Sequence, residues 1–89
     1  MFSGERTKVE IRFENSLLDA VIDKFGIGFG AVYQEDGDDH FIVTADVEVS
    51  DQFFAWIFGF GTKVKIHAPE KVTTDFKIYL SNISAQYAE

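Results

Sequence analysis

The stretch from Phe53 to Pro69 constrains the fold of this chain more than any other part of its sequence. It contains the only tryptophan and the only proline, together with a dense group of phenylalanines. Its apolar first part predicts a helix, the Gly-Phe-Gly at 59–61 predicts the end of that helix, and the alternation at 63–68 predicts a strand. Pro69 suits the first turn of another helix, where its missing N–H needs no partner. The stretch therefore predicts a helix, a strand and a second helix in close succession.

The chain begins with a predicted strand and helix. Residues 1–6 predict a flexible leader, and the alternation from Thr7 to Phe13 predicts a half-buried strand. Ser16 with Asp19 fits a capping box, in which a hydroxyl and a carboxylate satisfy the first free N–H groups of a helix. Gly26 fits the left-handed residue that ends such a helix.

A pair of strands follows, joined by an acidic turn. Residues 29–34 and 40–49 predict the strands, and Asp36-Gly37 predicts the hairpin turn between them. The carboxylates of segment 35–39, beside His40, suggest either a cation site or a solvated hairpin tip. Their spacing differs from that of a calcium loop, whose ligands alternate and end with a distant glutamate. The pattern favours the solvated tip.

The complete order of elements is β-α-β-β-α-β-α, which predicts an α+β fold. Ser50 is a suitable N-cap for the helix over residues 51–58. The last helix has a predicted buried face, formed by Val72, Phe76, Tyr79, Leu80, Ile83 and Tyr87. The first six elements predict a ferredoxin-like split βαβ sandwich (β-α-β-β-α-β), with helices on one face of a four-stranded antiparallel sheet. The last helix is additional to that arrangement, and residues 1–89 form a single domain.

Composition and charge exclude several classes of protein. The chain has no cysteine, which excludes disulfides, thiolate metal sites and a thiol nucleophile. Its net charge of −7 disfavours binding to nucleic acid through the overall field. The longest apolar run, Phe53–Phe58, is far shorter than the roughly 20 residues of a membrane helix, and the N-terminus has no signal-peptide pattern. We therefore expect a cytoplasmic protein without a membrane partner.

The residues offer little for catalysis or for binding a cofactor. His40 and His67 fall on predicted strands without a nucleophile or a second metal ligand at a suitable spacing. A solvent-facing or hydrogen-bonded histidine explains both positions. The sequence predicts no catalytic residue, no metal site and no cofactor, and hence a protein that is not an enzyme.

The order of motifs in the central stretch resembles one known family. The matching residues are Trp56, Ile57, Phe58, Gly59, Phe60, Gly61, Val64, Ile66, Pro69, Glu70 and Tyr87. They resemble the C-terminal extension (WCX) of WYL-domain bacterial transcriptional regulators of the DeoR-like, helix-turn-helix class. The opening strand Val9–Phe13 and the acidic hairpin also fit, so the resemblance covers nearly the whole chain.

The resemblance implies a regulatory role. In that family a winged helix-turn-helix binds DNA, the WYL domain senses a ligand, and the extension contributes to dimerisation and regulation. The chain would then be a C-terminal fragment, or a free-standing copy, of such a regulator, bound to DNA only through an upstream domain and forming a homodimer. The ligand-binding residues of the family lie mainly in the WYL domain, so none is transferred to this chain.

The resemblance leaves two rival functions. One is a small-molecule-binding regulatory module of similar topology within a metabolic enzyme. The other is a purely structural oligomerisation domain, which would show no thermal stabilisation by a ligand.

One predicted surface is an anion-facing sheet face. If the strand order is 4-1-3-2, the first and last strands are neighbours, and their face away from the helices carries the basic side chains Lys8, Arg12, Lys63, Lys65 and His67. Glu10 interrupts this group. The face would contact a phosphate-bearing effector, nucleic acid or an acidic partner. Alternatively, these are ordinary solvated strand positions whose lysines discourage aggregation.

A second predicted surface mediates self-association. A domain of this size cannot bury every aromatic ring, and surplus rings are typical of interface cores. The residues assigned to this surface, in whole or in part, are Phe54, Trp56, Phe58 and Tyr79. The alternative is that these rings belong to the hydrophobic core.

Overall fold

A computed structural model describes residues 6–26 and 30–88 and confirms the predicted order of strands and helices. The elements are β1 (Arg6–Glu14), α1 (Leu18–Phe25), β2 (Val32–Asp36), β3 (His40–Glu48), α2 (Asp51–Phe58), β4 (Val64–Ala68) and α3 (Glu70–Ala85). Short 3-10 turns cover Asn15–Leu17 and Gly61–Lys63. The predicted leader lies outside the described residues except for Arg6, which is the first residue of β1.

The four strands form one antiparallel sheet in the order β2-β3-β1-β4. Counted from β4, this is the order 4-1-3-2 on which the predicted anion-facing surface depends. In the β1–β3 register, Ile11 lies opposite Val43 and Phe13 lies opposite Phe41. Because side chains alternate along a strand, the apolar residues of both strands lie on the same face of the sheet.

That apolar face and all three helices form one hydrophobic core. Its buried members are Val9, Ile11, Phe13, Val21, Phe41, Val43, Ala45, Val47, Val49, Phe53, Phe54, Ile57, Ile66 and Val72. Phe13 is fully buried, and its ring packs on Phe41 at 5.6 Å and on Trp56 at 5.9 Å between ring centroids. This ring therefore connects the sheet with α2. Because side chains alternate along a strand, the more exposed residues of β1 and β3 lie on the opposite face of the sheet.

The start of α1 differs from the prediction. The chain passes through a 3-10 turn at Asn15–Leu17, and α1 begins at Leu18 without a side-chain cap. The capping box of Ser16 and Asp19 is therefore wrong. The reason is tertiary: the backbone N–H of Asn15 donates to the carbonyl oxygen of Asp39 in the hairpin, which fixes the chain before the helix begins.

The ends of the first hairpin strand and the last strand also differ. The structure places β2 at Val32–Asp36, whereas the predicted strand began at Phe29, which lies outside the described residues. Strand β4 begins at Val64, and Lys63 belongs to the preceding 3-10 turn. The N-cap of α2 is confirmed, since the Ser50 hydroxyl accepts a hydrogen bond of 3.3 Å from the Phe53 N–H.

Helix α3 is less buried than its apolar pattern predicted. Val72 is its only fully buried residue within the described part, and Phe76, Tyr79, Leu80 and Ile83 are half-buried. Tyr87 follows the helix and is 82% exposed, so its assignment to a buried face is wrong. Across residues 6–26 and 30–88, every helix is too short or too polar to cross a membrane.

Candidate functional site

An ion pair crosses the open face of the sheet and connects β1 with β2. The Arg12 Nε donates to the Asp36 Oδ2 at 2.6 Å, although β3 lies between their strands. Both side chains are 37% exposed. Ile42 of β3 is the cross-strand neighbour of Arg12, so the guanidinium passes over the middle strand. Arg12 already has a carboxylate partner and is not a free cation on this face.

The structure brings together some of the predicted anion-facing residues. Lys65 is the register partner of Arg12, and both Lys65 and His67 are exposed at the β4 edge. Lys8 is also exposed, but its register partner is Asp46. Lys63 lies in the turn before β4 and not on the strand.

Carboxylates alternate with these cations. Glu10 is exposed between Lys8 and Arg12, and it lies opposite Ala68 where a bulge interrupts the β1–β4 register. The face therefore has mixed charge, with Lys65 and His67 exposed at the β4 edge. Binding of an anion to this surface stays a prediction.

The hairpin between β2 and β3 is held against the β1–α1 connection. The Asn15 Nδ2 donates to the Asp38 carbonyl oxygen at 3.0 Å, beside the backbone bond of 2.8 Å from Asn15 to Asp39. A cleft of about 490 Å³ lies next to this contact and is lined by Asn15, Leu18, Tyr33, Gln34, Glu35, Gly37, Asp38, His40 and Phe41. Within the described residues, no group of histidine and carboxylate side chains has the geometry of a metal site.

Tyr33 lines this cleft and is hydrogen-bonded at its hydroxyl. Its hydroxyl donates to the Gly26 carbonyl oxygen at 2.7 Å, and burial raises the pKa of the phenol. Gly26 has a φ of 77°, a value that glycine adopts without the steric cost of a Cβ. This hydrogen bond connects the end of α1 to the edge strand β2.

The histidines lie apart from each other. His40 is half-buried at the first position of β3, and His67 is exposed on β4. Nothing that the structure describes around either histidine indicates a catalytic role. That the chain is not an enzyme stays a prediction.

The aromatic residues assigned to self-association separate into two groups. Phe54 is 1% exposed and belongs to the core, so it presents no surface in the folded chain. Trp56 is half-buried and packs on Phe60 at a centroid distance of 4.9 Å. Phe58 is 46% exposed, and its ring contacts that of Tyr79 at 6.3 Å. Phe58 and Tyr79 are the two assigned residues that reach the same part of the surface.

An apolar surface continues from these two rings along α3. Leu80 and Ile83 are half-buried, but neither is among the described residues that pack against the core cluster. Tyr87 follows Ile83 by four residues, and its N–H donates to the Ser84 carbonyl oxygen, so the helical turn continues and Tyr87 lies on the same side as Ile83. We define the α2–α3 apolar face as Phe58, Tyr79, Leu80, Ile83 and Tyr87. The sequence prediction missed the last three because it treated the whole α3 stripe as buried.

A signal for this face was present in the distribution of charge. Segments 52–62 and 78–88 contain no Asp, Glu, Lys or Arg, although 26% of the chain is charged. These two segments provide every residue of the α2–α3 apolar face. Depletion of charge with enrichment of aromatic residues is typical of interface cores.

Comparison with known protein families identifies the domain. A family model described as the WCX domain matches residues 5–83, which is most of the chain. This family is associated with WYL-type regulatory proteins. No individual curated protein matches the chain significantly. The match extends from β1 into the second half of α3, and the chain therefore belongs to the WCX domain family.

Proposed function

We propose that this domain is the regulatory and dimerisation extension of a WYL-type DNA-binding transcriptional regulator. The match of residues 5–83 to the WCX domain is the observation that supports this role. In this proposal the domain is non-catalytic and works in the bacterial cytoplasm. DNA is bound only by an upstream helix-turn-helix domain, which agrees with the net charge of −7 here.

The proposed architecture is the ferredoxin-like split βαβ sandwich with an added helix. The strand order β2-β3-β1-β4, the antiparallel pairing and the contribution of α1, α2 and α3 to one core support it. Such a sheet leaves one face free of helices. In a multidomain regulator, that face and the α2–α3 apolar face could each contact a neighbouring domain or subunit.

Sequencing the open reading frame upstream of the Met1 codon tests the proposal. We expect a winged helix-turn-helix followed by a WYL domain. A catalytic domain in that position would overturn the proposal and support the rival function, a regulatory module of a metabolic enzyme.

A deletion in the encoded regulator tests the regulatory role itself. Removing residues 6–88 should abolish or weaken the change in promoter affinity that the effector produces, while the isolated helix-turn-helix domain retains its affinity for DNA. An unchanged effector response after the deletion would contradict a regulatory function for this domain.

The proposal includes one part of the anion-facing surface, the β4 edge, as a site that binds an anion. Lys65 and His67 are exposed there, and neither has an ion-pair partner among the described residues. Titration of the chain with inorganic phosphate should shift the NMR signals of both residues, and Lys65→Gln should abolish the shift. Lys77→Gln on α3 is the matched control. Equal shifts in the wild type and Lys65→Gln would contradict an anion-binding role.

A further inference from the structure

The α2–α3 apolar face is incomplete in the single chain. Tyr79 packs against Phe54 and Phe76, whose rings lie 5.5 Å and 5.9 Å from its own. One turn further along α3 the apolar stripe continues through Ile83 to Tyr87, beyond these aromatic contacts. Apolar side chains that continue a core stripe to the surface leave area exposed to water, which favours covering them with another surface.

The charge distribution indicates what covers this face. A partner recognised by charge would need ions within the patch itself, but segments 52–62 and 78–88, which provide its residues, have none. A second copy of this chain carries the same charge of −7 and is repelled at most orientations. The uncharged end of α2 and second half of α3 form a surface where two copies can meet without opposing carboxylates.

We propose that the α2–α3 apolar face is the self-association surface and that its occupant is the same face of a second copy. This inference rests on the proposed dimerisation role and names the surface that performs it. A two-fold axis near Ile83 places the two α3 helices antiparallel, so that each stripe covers the other. An isologous contact of this kind needs only one self-complementary patch, as in most homodimers.

Helix α3 provides a matched control on its opposite side. Ile78 is 54% exposed, and the helical repeat of 3.6 residues directs it away from the stripe that contains Tyr79 and Ile83. Ile78→Glu and Ile83→Glu therefore introduce the same charge into the same helix on opposite faces. A glutamate at position 83 would place two like charges near the proposed two-fold axis.

Analytical ultracentrifugation of the full chain over a concentration series tests the proposal. We expect a monomer–dimer equilibrium in the wild type that Ile83→Glu weakens by about tenfold or more, because charges buried without partners are costly at an interface centre. Ile78→Glu should dimerise as the wild type does. Circular dichroism of each variant shows whether it remains folded. Tyr87→Glu repeats the test at an 82% exposed position, where unfolding is not expected.

The salt dependence of the monomer–dimer equilibrium is a second test. Salt screens the repulsion between two copies of charge −7, so dimerisation through an uncharged face should strengthen as salt rises. A wild-type monomer at high micromolar concentration would overturn the inference, as would equal weakening by Ile78→Glu and Ile83→Glu.

The inference and the proposed function fail in different experiments. If the regulator keeps its effector response while Ile83→Glu leaves its dimer unchanged, the surface assignment is wrong and the regulatory role stands. If Ile83→Glu alone abolishes dimerisation but deletion of residues 6–88 leaves the effector response intact, the surface assignment is right and the regulatory role is wrong.

Discussion

The hairpin end and the α2–α3 end of this domain are stabilised by different interactions. At the hairpin, Arg12 pairs with Asp36 and Asn15 bonds to the turn, so each of these polar contacts is made within one chain. At the other end, Phe58 and Tyr79 meet ring against ring, and their apolar side chains remain partly exposed. The hairpin end thus makes polar contacts within the chain, whereas the α2–α3 end leaves apolar area for the second copy that we propose.

The hairpin end and the α2–α3 end also differ in the number of charged residues. The hairpin segment 35–39 carries four carboxylates, which keep it solvated and repel a second copy. Segments 52–62 and 78–88 carry no charge. In a chain with a strongly negative total charge, these two segments are therefore where an apolar contact between copies costs the least in repulsion. The following predictions change one region at a time.

The largest effect is expected where the two regions meet, at Phe13. Its ring contacts Phe41 of β3 and Trp56 of α2, and the side chain is fully buried. Phe13→Ala should lower the free energy of unfolding by about 3–5 kcal/mol, because it removes apolar contacts and leaves a cavity. Urea denaturation measures the loss. Val32→Ala, at a 58% exposed position, should change the free energy of unfolding by less than about 0.5 kcal/mol.

A smaller effect is expected at the hairpin turn. Gly37 has a φ of 77°, and an added Cβ would meet no atom within 4 Å, so the cost of Gly37→Ala is that of the backbone conformation alone. We expect a loss of about 1 kcal/mol in the free energy of unfolding. Gly59 has a φ of −62°, and Gly59→Ala is the matched control with no such penalty. Equal losses at the two glycines would contradict this explanation.

The Arg12–Asp36 ion pair is expected to contribute still less. A double-mutant cycle with Arg12→Ala and Asp36→Ala should give a coupling energy of about 0.5–1 kcal/mol, since both side chains are partly exposed and screened by solvent. High salt should reduce it. The Lys71–Asp75 pair, at 3.6 Å with Lys71 81% exposed, is a control expected to give about 0.3–0.5 kcal/mol. A coupling energy of zero between Arg12 and Asp36 would show that their contact does not stabilise the packing of β2 in the sheet.

The smallest predicted effect is a pH dependence at Tyr33. Burial raises the pKa of its phenol above the ordinary value of 10.0, so above that pH the unfolded state loses this proton before the folded state does. The contribution of Tyr33 to the free energy of unfolding is therefore fully present below pH 10.0, and it is lost as the pH rises through the higher pKa of the folded state. Urea denaturation between neutral and alkaline pH should show this decline, and Tyr33→Phe should reduce it. An identical decline in the variant would exclude Tyr33 as its source.

Most of the fold could be predicted from local sequence patterns. Strand β3 and helix α2 were predicted nearly to the residue, because alternating apolar residues and the Ser50 cap act over short distances. The capping box at Ser16 failed because a distant contact, from Asn15 to the hairpin, determines the backbone there. A local motif does not contain that information.

The candidate surfaces were less predictable. The Arg12–Asp36 pair spans an intervening strand, so it becomes visible only when the order of the sheet is known. The periodicity of α3 correctly gave the side of the helix on which Val72 is buried and Ile83 is half-buried. It could not give the extent of the neighbouring elements, and so it predicted burial for Tyr87, which is exposed.

Hydrogen–deuterium exchange at two protein concentrations tests the central claim most directly. If the α2–α3 end is completed by a second copy, backbone amides in residues 78–88 should exchange more slowly at high than at low concentration, while those of residues 33–41 should not change. Exchange that is independent of concentration in 78–88, or protection confined to the hairpin, would contradict the account.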